Sequence, residues 1–246
     1  MNARDSILAR VREALRGGSD GSSFAKATKD QHQSESQTPL ADGSGDARVF
    51  LPKVPSDFTG QLALFAERSE SLRTEFLSCA DEAAAIAQLK LLSDREGWES
   101  IAFPADREIQ ALLANVSIAK LEVSRSTVKT DLEKVSAGIT GCDALVAQTG
   151  SVLLTANSGG GRALSVLPVH HVVIATASQL VPDLPAAFEL LERKYAPNFP
   201  SFMTFITGPS RTGDIERVLV LGAHGPRKLT VIMVGSVADS PEARPQ

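Results

Sequence analysis

The chain has 246 residues, 43% hydrophobic and 22% charged, proportions of a folded globule that can bury roughly 70–75% of its unfolded surface without staples. Its 25 Lys and Arg face 29 Asp and Glu for a formal charge of −4, and no sustained basic stripe is present to neutralise phosphates, so nucleic acid is excluded as an expected partner. No apolar stretch approaches the ~18 residues of a membrane span, and the opening MNARDSILARVREALR lacks the apolar core of a secretory signal, so no membrane span and a cytoplasmic address are expected.

The first predicted element is a helix over 5–16, because Ile7, Leu8, Val11 and Leu15 fall on one face, with Asp5 or Ser6 as the cap. Residues 17–47 are expected to be a flexible linker. From Gly17 to Asp46 the chain is rich in Gly, Ser, Asp, Gln and Thr and has almost no large apolar side chain, too little to offset the entropy of ordering. The helix is then an appendage whose apolar stripe must dock on the main body, another subunit or a partner.

From residue 48 to 235 the pattern alternates. A helix over 56–68, a strand over 73–78, and a helix containing 83–92 and capped by Asp81 come first. A strand at 101–103, a helix at 107–113 and a strand at 118–123 follow. Strands at 144–147, 152–155 and 171–176, a helix at 184–194, and strands at 202–206, 218–221 and 229–234 complete the domain, and 236–246 reads as a frayed tail. Strands alternating with helices at this spacing imply an α/β fold, a mostly parallel sheet with helices on both faces.

Two segments carry the chemistry. In Gln148 to Pro168, Thr149, Gly150 and Ser151 break two apolar strands, and Gly159, Gly160 and Gly161 lead into Arg162. Bare glycine amides, together with the positive end of a helix starting near Arg162, would suit a carboxylate or phosphate. Equally, the glycines turn the chain and Arg162 makes a surface ion pair. In Ile206 to Pro226 a strand ends at Gly208 and Pro209 stops it, while Ser210 or Thr212 can cap a helical turn holding Asp214. Open α/β sheets place ligands at such strand-to-helix junctions. Asp214 can also do no more than strengthen a helix start.

Adjacent His170 and His171 on a strand point to opposite faces and cannot share a metal. His171, and His224 between small residues, can act as proton donors or anion contacts, or can be packed, hydrogen-bonded histidines. The glycines do not complete GxGxxG, since Leu164 holds the third position, no GK[ST] follows, and no GxSxG elbow joins a predicted strand to a predicted helix. The two cysteines, Cys79 and Cys142, have neither Cys-x-x-Cys nor Cys/His ligand spacing, and an iron–sulfur cluster usually takes four thiolates. No cofactor or metal is expected on this chain; a redox centre would sit on a partner.

The order of these segments resembles the lactate-utilization protein C family, built on the LUD domain. The matching residues are Thr149-Gly150-Ser151, Gly161-Arg162-Ala163-Leu164-Ser165, Leu167-Pro168, His171, Gln179 and Val181. They continue with Ile206-Thr207-Gly208-Pro209-Ser210, Asp214-Ile215-Glu216 and Gly222-Ala223-His224-Gly225-Pro226, and Ile7 to Arg12 is similar to the family's opening helix. The resemblance implies a fold like that of the ribose-phosphate isomerase, glucosamine-phosphate deaminase and CoA-transferase group. It also implies a non-redox component of a system oxidising L-lactate to pyruvate, with the iron–sulfur clusters on cysteine-rich partners. The expected ligand site for a small organic anion comprises Thr149, Gly150, Gly160, Gly161, Arg162, His171, Gly208, Ser210, Thr212, Asp214 and His224. The family commonly has Glu before the Thr-Gly pair, where this chain has Gln148, which favours a binding or assembly role. The alternative is a stand-alone isomerase or acyl-transferase-type enzyme on the same fold.

Overall fold

The computed structural model describes residues 51–124, 126–212, 220–221 and 225–235. The expected N-terminal helix, linker and tail lie outside them. Each long helix among the described residues starts on an aspartate. Asp57 caps α1 (Phe58–Ser71), Asp81 caps α2 (Glu82–Glu96), Asp106 caps α3 (Arg107–Ala114) and Asp183 caps α5 (Leu184–Tyr195), in every case with the carboxylate accepting a first-turn N–H. The short α4 (Lys129–Leu132) lacks such a bond.

The strands are β1 (Glu75–Cys79), β2 (Ser100–Pro104), β3 (Ala119–Val123), β4 (Ala137–Thr140), β5 (Ala144–Val146), β6 (Ser151–Thr155), β7 (His170–Thr176), β8 (Leu180–Val181), β9 (Met203–Ile206), β10 (Arg211–Thr212), β11 (Val220–Leu221) and β12 (Lys228–Val234). Six of them form an all-parallel sheet in the order β1-β12-β7-β4-β2-β3. Strand β4, central in that order, has the small-residue sequence AGIT and was not among the expected strands. Gly138 explains its composition: a Cβ there would lie 2.5 Å from the Leu164 carbonyl oxygen and 2.8 Å from Pro168 Cγ, so the strand is small because the 162–168 segment lies directly on it.

The parallel sheet is apolar on both faces, as a buried parallel sheet must be. Val172 of β7 and Ile232 of β12 pack on one face with Leu89 and Leu92 of α2 and Ile109 and Leu113 of α3. Val173, Ala175, Val231 and Met233 pack on the other with Phe58 and Phe65 of α1 and with Leu145 and Val152. Those last two belong to a second, four-stranded sheet, β8-β5-β6-β9, which shares the covering of this face with α1. The β5–β6 hairpin and β6–β9 are antiparallel, and β5–β8 is parallel. The outer side of this sheet, Ala144, Val146 and Leu153, packs against Ala187 and Leu191 of α5. The layers are therefore α2 and α3, the parallel sheet, α1 with the second sheet, and α5. Among the described residues no helix is long and apolar enough to cross a membrane.

The close approach at Gly138 generates a direct test. Gly138→Ala places a methyl group where backbone and proline already sit, and overpacking of this kind costs about 1–3 kcal/mol. A urea titration is expected to show a lower midpoint with an unchanged slope.

Candidate functional site

The two glycine-bearing segments converge on a cleft of about 340 Å³. One wall is Arg162, Ser165 and Val166 from the segment that precedes β7; the other is Gly208, Pro209 and Ser210 after β9, with Gly225 and Pro226 before β12. Contacts within the second wall, and one from Arg162 to Phe202 of the lining, hold the cleft in shape. The Ser210 N–H donates to the Pro226 carbonyl at 2.9 Å, a Cβ at Gly225 would lie 3.1 Å from Ser210 Cβ, and the Arg162 guanidinium stands 5.7 Å from the centroid of the Phe202 ring. Phe205, Ile206 and Leu229 add apolar lining. Thr207, also in the lining, exchanges a 2.8 Å hydroxyl hydrogen bond with Ser151 at the start of β6.

Arg162 is exposed, and among the described residues no carboxylate lies within ion-pairing distance of it. Of the two readings of this arginine, the surface ion pair thus has no described partner, while stacking on Phe202 holds the cation at the cleft. A guanidinium above an aromatic ring, with its fork of donors unspent, suits a carboxylate.

Other expected contributions to anion binding differ in the structure. No helix starts near Arg162; residues 162–168 form turns and bends, in which the N–H groups of Val166 and Leu167 both donate to Ala163. The buried Leu164 explains this, since it plugs a small core with Ala102, Leu132 and Val135, and that anchorage folds the segment inward. Two of the three glycine amides are also spent: Gly159 donates to Thr155 and Gly161 to Ala156, at 2.9 and 3.0 Å. Gly160 packs against Pro104. Thr149 and Gly150 form the turn of the β5–β6 hairpin, where the Gly150 N–H donates to Val146 and its Cα faces Arg68 and Leu72 of the α1 end. They are not part of the cleft lining.

Arg211 and Thr212 pair with Leu221 and Val220 as an antiparallel ladder, and the residues of the expected helical turn, 213–219, lie outside the described residues. Arg211 instead reaches the Leu72 carbonyl at the C-terminal end of α1, where a cation complements the helix dipole. Asp214 and His224 lie outside the described residues. Gln148, at the position where Glu is common in the resembled family, donates its side-chain amide to the Pro52 carbonyl at 3.1 Å, and its own N–H to Pro182 at 3.0 Å. This amide ties the hairpin to the preceding chain and lies away from the cleft lining.

The adjacent histidines do point to opposite faces. His171 borders the cleft but is 1% exposed, and its Nε2 is 2.9 Å from the Thr140 hydroxyl. Burial, and then the neighbouring His170, pull its pKa from 6.5 to about 3. His171 is therefore neutral near pH 7 and shapes the wall without offering a charge to an anion. His170 bonds Thr230 at 2.8 Å and meets the edge of Trp98 at 5.3 Å; burial is the largest influence on it, opposed by Glu96, and its pKa falls to about 4. Both belong to the packed alternative.

The LUD domain family matches residues 62–234, which is most of the described fold. The chain belongs to the LUD domain family. Lactate utilization protein C of Macrococcus caseolyticus is 40% identical to it over 104 residues, 42% of this chain and 45% of that protein. Lactate utilization protein C of Deinococcus radiodurans is 36% identical over 106 residues, covering 43% of this chain and 49% of that protein. The matched stretch thus spans less than half the length of these relatives. A crystal structure of a DUF162 family protein from Deinococcus radiodurans is 25% identical, with a TM-score of 0.60 over 74% of this chain and 100% of that one. The alternation of strands and helices in this LUD domain is thus the family's fold, and the cleft lies within the matched region.

The buried histidines predict an acid dependence. In the unfolded chain each imidazole takes a proton near pH 6.5, while in the fold it resists until about pH 3 or 4. The stability they contribute is fully present above pH 6.5 and is lost as pH falls, by up to about 1.4 kcal/mol per pH unit per histidine. Between about pH 5 and 6, above the range where the carboxylates titrate, His171→Asn is expected to remove close to one proton from the slope of unfolding free energy against pH. Denaturant unfolding at several pH values measures it.

Proposed function

We propose that this chain serves lactate utilization as a non-redox component that binds a small organic anion in the Arg162 cleft and docks cluster-bearing partners. The observation that carries the reading is Arg162 itself: a guanidinium with no described carboxylate partner, stacked on Phe202 above an apolar lining that suits the hydrocarbon end of an organic acid. Membership of the LUD domain family and the names of the relatives supply the choice of lactate or pyruvate as the anion. Iron–sulfur clusters for the oxidation are placed on cysteine-rich partners. The two cysteines here, Cys79 and Cys142, are both buried, and burial raises the pKa of each thiol, away from the thiolate that a cluster requires.

The size of the cleft sets the expected strength. At about 340 Å³ it stands at the low end of the range that houses drug-sized ligands and is roomier than a three-carbon acid requires. Binding of lactate or pyruvate alone is expected near about 1 mM, with a partner closing the site to tighten it.

Isothermal titration of the full chain with L-lactate and with pyruvate tests the reading. At least one is expected to bind, and Arg162→Ala is expected to weaken it about tenfold, the loss of one charge-assisted contact of ~1.4 kcal/mol. Indifference to both anions, with and without iron–sulfur proteins co-purified from lactate-grown cells, would remove the anion from the account.

A further inference from the structure

The geometry points to a second ligand site at the opposite end of the parallel sheet, built around Asp143 and shaped for a hydroxylated monocarboxylate. Strand β2 leads on to β3 by way of α3, on one face of the sheet; β4 leads on toward β7, on the other side, by way of the β5–β6 hairpin on the other face. Between β2 and β4 the outgoing connections part, and open α/β sheets take ligands in the crevice outside the strand carboxyl ends at such a point. A cavity of about 330 Å³ lies there, bordered by Asp106 and Glu108 of the α3 start, Asn157, Thr176 at the end of β7, and Lys194 and Tyr195 at the end of α5.

One side of this cavity is organised by a carboxylate with no exposure of its own. Asp143 accepts from Lys194 Nζ and from the Tyr195 hydroxyl on one oxygen, and from the Ser158 hydroxyl on the other, each at 2.6 Å. Burying an ionised carboxylate is expensive unless it is fully hydrogen-bonded, and here three short bonds from three separate groups achieve that. Lys194, by contrast, is 50% exposed. Its ammonium has three donors and the carboxylate holds one, so the anchored side chain can present the others to a ligand. Ser158 and Tyr195 are neutral donors, so the Lys194–Asp143 pair is neutral as a unit, and what the ammonium offers a ligand is its remaining N–H groups.

The opposite side fixes the kind of ligand. Asp106 accepts the first-turn N–H groups of α3 through a single oxygen, and neighbouring Glu108 is exposed in the same turn. These carboxylates repel a second negative group and accept hydrogens from hydroxyl groups. Asn157 and Thr176 add an amide and a hydroxyl between the two sides. A molecule with one carboxylate for Lys194 and a chain of hydroxyls for the α3 side meets every one of these groups. A phosphate dianion or a dicarboxylate does not.

Gluconate, its uncharged relative sorbitol and its dicarboxylate relative glucarate are the probes, titrated calorimetrically into the full chain. Gluconate is expected to bind, with sorbitol and glucarate each at least tenfold weaker. Lys194→Met is expected to weaken gluconate about tenfold or more. Arg162→Ala, in the other cleft, is expected to leave gluconate within twofold, so the fate of this site is read independently of the lactate reading. Should Lys194→Met lower the melting temperature, Asn157→Asp at an exposed position adds negative charge at the cavity without touching the Asp143 bonds and is expected to weaken gluconate similarly. Failure of gluconate to bind the wild-type chain, tighter binding of glucarate, or binding unchanged by both variants would overturn the proposal and leave Asp143 as a staple between α5 and the hairpin.

Discussion

Burial of β7 and β12 on both faces is the constraint from which the rest of the molecule follows. The two strands pair in parallel over seven residues, from His170 opposite Lys228 to Thr176 opposite Val234. Successive side chains alternate faces, so Val172 and Ile232 demand an apolar partner on one side while Val173, Val231 and Met233 demand one on the other. Helices α2 and α3 meet the first demand. The second is met by α1 together with a sheet, because the hairpin β5–β6 is itself apolar on both faces and can be covered only by being sandwiched between the parallel sheet and α5. The same strands fix the two cavities: His171 and Leu229, each second in its strand, border the Arg162 cleft at the amino ends, and Thr176 borders the Asp143 cavity at a carboxyl end.

Much of this was legible in the sequence where local chemistry decides. Asp81 before the Ala83 to Leu92 run, and the apolar runs of β7 and β12, declare a capped helix and two buried strands by composition alone. Legibility fails where distant contacts choose the residue. In strand β4 the weak strand former Gly138 answers to Leu164 and Pro168 rather than to its own strand. The run Leu164 to Leu167 has helical spacing, yet it folds as turns because Leu164 is drawn under β2. The pairing of Arg211 and Thr212 with Leu221 and Val220 likewise depends on residues further along the chain.

The candidate site divides along the same line. Arg162, Gly208 and Ser210 were readable as one locus because each sits in a segment with an unusual local sequence, and the structure brings the segments together. The Asp143 group was invisible: its partners lie 15, 51 and 52 residues along the chain, and each of Asp143, Ser158, Lys194 and Tyr195 looks ordinary among its neighbours. Titration behaviour separates the two sets as well. His171 stands beside the expected cleft yet is held neutral by burial, whereas Asp143, which burial alone would push toward the neutral form, is held ionised by Lys194, Ser158 and Tyr195.

The run Gly159 to Gly161, which in sequence suggests a cradle for an anion, has a different physical reason. It joins Asn157 and Ser158 on the Asp143 side to Arg162 on the other, so one short stretch of backbone touches both cavities. To do so it must lie against the end of β2, where a Cβ at Gly160 would stand 2.5 Å from Pro104 Cβ, and it must turn with φ of 64° at Gly160 and 102° at Gly161. A side chain at Gly160 is excluded by both conditions. The two ends of this stretch are also fixed, Ser158 by its 2.6 Å bond to Asp143 and the far side by Leu164 in its small core. Glycine here is therefore a packing requirement for a connector pinned at both ends. That is why the Gly159 and Gly161 amides are spent inside their own turn, and why the cationic contact of the first cleft falls to Arg162, the first side chain after the glycines end.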